Sequence, residues 1–104
     1  MTTIGDIATF VTSKNAGPFL IALDIVFPDQ AIYRRFIDTA ALDKQTVARL
    51  YGIPETDVIA IIHFDPAHAL KVTLRRHTVC GAPGDTDVYG AQQHVPIMQH
   101  RIAW

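Results

Sequence analysis

Val58-Ile59-Ala60-Ile61-Ile62-His63-Phe64, then Asp65-Pro66-Ala67-His68, then Ala69-Leu70-Lys71-Val72-Thr73-Leu74-Arg75: this stretch decides the fold. Its first seven residues are apolar except for His63, and the β-branched side chains among them suit a pleated strand. Asp-Pro turns the chain. The second arm alternates Leu70, Val72 and Leu74 with Lys71, Thr73 and Arg75, so it has one buried and one wet or ligand-facing side. The two arms predict an antiparallel hairpin.

Working outward, the run Phe19 to Phe27 lies between Pro18 and Pro28 and reads as a strand covered on both faces, with Asp24 its one polar interruption. Alternation places Asp24 with Leu20, Ala22 and Val26, opposite Phe19, Ile21, Leu23, Ile25 and Phe27. An inward acid and a carboxylate paired with Lys or Arg are both open readings; the pairing is preferred because an unpaired buried charge is costly.

Residues 29–40 repeat Ile32, Tyr33, Phe36, Ile37 and Ala40 at helical spacing behind Asp29 as cap. Lys44 to Tyr51 forms a second helix between Asp43 and Gly52, with Pro54 beyond. Ile4, Ile7, Ala8 and Val11 predict a short amphipathic helix over 3–11, capped by Thr2 or Thr3. Ile97 to Trp104 reads as a closing strand. The expected class is α+β, a mainly antiparallel four-stranded sheet with two to three helices on one face.

The 104 residues fit a single domain, with no repeat or low-complexity linker. Nine basic against ten acidic residues give a net charge of −1, which argues against nucleic acid and anionic lipid. The 49% apolar share against 18% charged favours an oligomer or subunit. Cys80 is the single cysteine, and neither a leader nor a run of about twenty apolar residues is visible, so a soluble cytoplasmic protein is expected.

Two polar stretches could carry chemistry. Ser13-Lys14-Asn15-Ala16-Gly17-Pro18 falls between the expected helix and strand, where Lys14 and amide donors could hold a carboxylate or phosphate; a plain helix stop would use the same residues. Asp87-Val88-Tyr89-Gly90-Ala91-Gln92-Gln93-His94 places two carboxamides beside an imidazole. There Tyr89 and His94 could transfer protons, Gln92 and Gln93 could orient a carboxylate, and Asp87 could fix a histidine tautomer. A structural hydrogen-bond network is the alternative. Lys71 and Arg75 could add cations from their strand face, or be merely solvated. The five histidines show no metal-ligand spacing, and no nucleophile elbow, phosphate-binding loop or dinucleotide fingerprint is present, so neither metal nor cofactor is expected.

Ser-Lys-Asn-Ala-Gly-Pro-Phe at 13–19, Leu-Tyr-Gly-Ile at 50–53, Phe-Asp-Pro-Ala at 64–67, Lys-Val-Thr-Leu-Arg at 71–75 and Asp-Val-Tyr-Gly-Ala-Gln-Gln-His at 87–94 together resemble the bacterial domain of unknown function 4387 family over essentially the whole chain. Its members resemble, and are found next to or fused with, proteins of the acyclic terpene utilisation A type, whose small C-terminal domain is ferredoxin-like. The resemblance thus implies a ferredoxin-like two-layer sandwich and a small subunit working with such a larger partner on carboxylic acids or their coenzyme A thioesters. In the family a basic residue often precedes the serine; this chain has Thr12, which implies weaker or differently arranged anion binding, and no role is carried to that position.

Two functions follow as expectations. The first is an enzyme component in which Ser13, Lys14, Asn15, Gly17, Lys71, Arg75, Asp87, Tyr89, Gln92, Gln93 and His94 build a carboxylate or acyl-CoA site, with His94, Lys14 and Tyr89 as the catalytic groups of a cofactor-independent lyase, hydratase or isomerase. The second is a non-catalytic interaction domain whose polar motifs are a hydrogen-bond network.

Overall fold

The computed structural model describes residues 2–16, 19–75 and 95–104. The hairpin forms as its sequence dictates: β4 (Val58–Phe64) and β5 (Ala69–Arg75) pair antiparallel across a 3₁₀ turn at Asp65–Ala67. On the far side of β5 lies β3 (Leu20–Val26), and beside that β2 (Phe10–Asn15), giving a four-stranded antiparallel sheet in the order β2-β3-β5-β4. These labels leave β1 for Thr2–Thr3, which pairs antiparallel with β6 (Arg101–Ile102) in a separate two-stranded ribbon.

Between β3 and β4 come α2 (Gln30–Thr39) and α3 (Lys44–Tyr51), each begun by an aspartate whose carboxylate accepts a backbone N–H: Asp29 from Ile32 at 2.9 Å, Asp43 from Thr46 at 2.8 Å. Both helices fall where their start and stop signals place them. Gly52 closes α3 at φ +63°, a conformation that costs glycine nothing, whereas Ala40 closes α2 at φ +51° against its own Cβ. Because β3 and β4 are each antiparallel to β5, they run parallel to one another with β5 between them, so β3, the two helices and β4 make a split β-α-β unit. The edge next to β3 is β2, which precedes it in the chain, so the described order is β-β-α-α-β-β.

One side of the sheet carries the core. Val11, Ile21, Leu23, Ile25, Val58, Leu70, Val72 and Leu74 project to it, and Tyr33, Phe36, Leu42, Val47 and Ala48 cover them from the two helices. Phe27 stacks on Phe36 with centroids 4.9 Å apart and reaches Tyr33 at 6.1 Å. The Tyr33 hydroxyl donates to Asp65 at 2.5 Å, tying α2 to the hairpin turn. Burial first, and then that carboxylate, push the phenol up to about 12. α1 (Ile4–Ile7) and α4 (Val95–Met98) add Ile4 and Ile97 to the same core, and Arg35 lies 4.1 Å over the Trp104 ring, holding the chain end to α2.

Two expectations need correction. The helix expected over 3–11 is only Ile4–Ile7, with Thr3 and Asp6 forming a reciprocal capping box. Phe10 to Asn15 instead pairs along its whole length with β3, an aromatic and β-branched start that suits a strand once a partner is present. Ser13, Lys14 and Asn15 are therefore strand residues and not a loop. The closing strand expected over Ile97–Trp104 is a helical turn followed by two paired residues, so the fourth strand of the sheet comes from the amino-terminal side.

Candidate anion-binding face

The side of the sheet away from the helices is crossed by three rows of side chains fixed by strand register. Phe10, Val26, Ala69 and Phe64 form the first; Thr12, Asp24, Lys71 and Ile62 the second; Lys14, Ala22, Thr73 and Ala60 the third. Beyond the third row Leu20 pairs with Arg75. No helix of the described residues contributes to this face, since the apolar cluster draws its sheet members from the other side.

Three cationic side chains therefore meet on it. Lys14 lies two strands from Thr73, while Lys71 and Arg75 lie two residues to either side of Thr73 on β5. With strands about 4.8 Å apart and a rise of about 3.4 Å per residue, the three Cα atoms form a triangle with sides of about 12 to 14 Å. Its centre lies over Ala22, which is buried, and the half-buried Thr73, the two small side chains between the three longer ones. Among the described residues the face carries one carboxylate, Asp24, whose Oδ1 is 3.9 Å from Lys71 Nζ, in keeping with the paired role preferred from sequence. Lys14 and Arg75 make no ion pair among the described residues. Three cations so placed complement a carboxylate or a phosphate by charge, with Thr73 and Thr12 as hydroxyl partners.

Not all the candidates share this face. Ser13 and Asn15 alternate to the helix side opposite Leu23 and Ile21, where they are half-buried and already engaged. Gly17, Asp87, Tyr89, Gln92, Gln93 and His94 lie outside the described residues, as does Cys80. Period-two alternation was enough to put Lys71 with Arg75; joining Lys14 to them required the β2–β3 register.

Fold and face together define a small α+β domain with a cationic sheet surface. The chain matches the model of the family described as Domain of unknown function (DUF4387) over residues 4–101, and it belongs to that family. No curated protein and no solved structure matches it. Among the described residues no helix is long and apolar enough to cross a membrane.

Proposed function

We propose that this chain is a small subunit or oligomeric domain that binds carboxylates or acyl-CoA thioesters on the helix-free face of its sheet, in the breakdown of organic acids. The observation that carries the reading is the placement by register of Lys14, Lys71 and Arg75 around Ala22 and Thr73, three cations against one carboxylate among the described residues. In this reading the larger partner is of the acyclic terpene utilisation A type, the assembly is cytoplasmic, and the sheet is a ferredoxin-like sandwich whose edge strand β2 is supplied from the amino-terminal side. In this reading proton transfer falls to His94, with Lys14 and Tyr89 as the further catalytic groups, in lyase, hydratase or isomerase chemistry.

The test is a thermal-shift series with small di- and hydroxy-carboxylates and coenzyme A thioesters, on the chain alone and with its partner. Binding to the folded state raises the midpoint. A shift that Lys14→Ala and Arg75→Ala each diminish supports the reading; a shift indifferent to both sinks it. His94→Gln separates the roles, since it should remove turnover and spare binding.

The first row of the same face favours a second reading. Phe10 and Phe64 are 50% and 54% exposed, and Ile62 in the next row is 51% exposed, so apolar area is concentrated along one end of the sheet. Such area suits a non-catalytic interaction domain that packs this face on a larger protein. Stabilisation by the partner alone, with none by any carboxylate, would select it.

A further inference from the structure

On the opposite side of the sheet a cavity of about 320 Å³ opens between the α2–α3 corner and the edge strand β4. Phe36, Ile37, Leu42, Ile61 and Leu70 supply apolar walls. Its size is at the lower end of the range of about 300 to 1,000 Å³ typical of small-molecule sites. At roughly 30 Å³ per water it has room for about ten water-sized atoms.

The corner that shapes it is built and held. α2 ends at Ala40 in the left-handed region, and two consecutive small residues, Ala40 and Ala41, leave space that larger side chains would fill. The Thr39 hydroxyl donates to the Phe36 carbonyl at 2.6 Å and accepts the Ala41 N–H at 3.2 Å, fixing the turn. Leu42 then drops into the core and Asp43 begins α3.

Among the described residues three polar side chains line the cavity: Asp43, Lys44 and His63. Asp43 is committed to α3, because its carboxylate accepts the Thr46 N–H, a bond that also holds its pKa below the usual carboxylate range. Lys44 makes no ion pair among the described residues. His63 interrupts an apolar strand and stands on its helix-facing side, paired with Leu70, yet remains exposed. An imidazole offers an N–H donor in either protonation state. An ammonium and an N–H at the edge of a hydrocarbon-lined groove complement one negative charge on an apolar body. The adjacent Asp43 carboxylate disfavours a doubly charged phosphate.

We propose that this groove is a second binding site, one that takes an aliphatic monocarboxylate of about eight carbons. The hydrocarbon chain lies against Phe36, Ile37, Leu42 and Ile61, and the carboxylate meets Lys44 and His63. The site shares no residue with the cationic face and stands or falls independently of it.

The probe is octanoate, titrated calorimetrically into the full chain, with octanol as the uncharged control and ¹⁵N-resolved amide shifts to locate it. The expected result is saturable binding with a dissociation constant of about 1 mM or tighter, with shifts at Ile37, Ala41, Leu42 and Ile61. Octanol should bind several-fold more weakly. Lys44→Met, a change at an exposed position, should weaken octanoate about fivefold and leave octanol unchanged; His63→Gln should act in the same direction. The proposal is overturned by no saturation at millimolar octanoate, by equal affinity for octanol, by Lys44→Met without effect, or by shifts confined to Lys14, Ala22 and Thr73, which would assign octanoate to the cationic face. Concentration-dependent shifts of the groove amides without octanoate would assign the groove to a second copy of the chain and overturn it equally.

Discussion

Replacing Asp24 by Asn should strengthen anion binding on the sheet face while leaving the fold nearly as stable. Asp24 is the single carboxylate of the face among the described residues, and its Oδ1 sits 3.9 Å from Lys71 Nζ with side-chain exposures of 28% and 51%. A pair so exposed contributes about 1 kcal/mol or less, so its loss should change the unfolding free energy by no more than that. Removing the carboxylate frees Lys71 to act on a ligand. Two unit charges about 4 Å apart interact by about 1 kcal/mol at the dielectric constant of water, which is roughly a fivefold gain in affinity. The gain should shrink as salt rises, because the screening length falls to about 8 Å at physiological ionic strength. Calorimetric titration of Asp24→Asn with succinate and with acetyl-CoA, at low and at physiological salt, measures the effect; urea unfolding measures the cost. Affinity that stays level or falls would refute the assignment of the anion site to this face. A stability loss well above 2 kcal/mol would instead make Asp24 a structural anion.

Tyr33→Phe should abolish an alkaline component of stability. The folded phenol is pushed up to about 12 against an ordinary value near 10, so its contribution is complete below pH 10 and is lost as pH rises through 12. It amounts to about 2 kcal/mol; a difference between wild type and variant that stays constant from pH 8 to 12 would refute it. Gly5→Ala should destabilise by about 1 kcal/mol, since a Cβ there would lie 2.7 Å from Met98 Cγ and 3.1 Å from the Met98 carbonyl oxygen, an overpacking cost that exceeds the gain in helix propensity; thermal unfolding checks it. Ala40→Gly should raise stability by about 1 kcal/mol by relieving the left-handed strain at φ +51°, and a lower melting temperature would contradict that.

What could be read from the sequence was what local chemistry decides. Asp43 and Gly52 bracket α3 at its observed ends because capping and left-handed closure are short-range events. The alternation through Lys71, Thr73 and Arg75 survives intact because a central strand with one buried face cannot slip by one residue without burying its charges. The strand from Phe10 to Asn15 is hidden in the sequence because Ile4, Ile7, Ala8 and Val11 do satisfy helical spacing. The pairing of Val11 with Ile25 and of Ser13 with Leu23 wins only once β3 is in place. The groove rests on another non-local fact, the distance left between a corner of two alanines and an edge strand. One local signal pointed to it: His63 occupies a core-facing position of an otherwise apolar strand, next to Leu70, in a place where burial would be the rule.

Net charge misleads for the same reason that register informs. The chain's balance of −1 suggests a molecule indifferent to anions. Yet its described acids other than Asp24 all lie in helices, at their caps or in the 3₁₀ turns. There carboxylates such as Asp6, Asp29 and Asp43 are used to satisfy backbone N–H groups. The four-stranded sheet keeps three cations and one carboxylate, on a single face. Because screening confines each field to about 8 Å at physiological salt, a ligand on the sheet responds to that local excess and not to the sum over the chain. Asp6, Asp29 and Asp43 are committed to beginning helices, and among the described residues the face those helices do not cover carries an excess of positive charge.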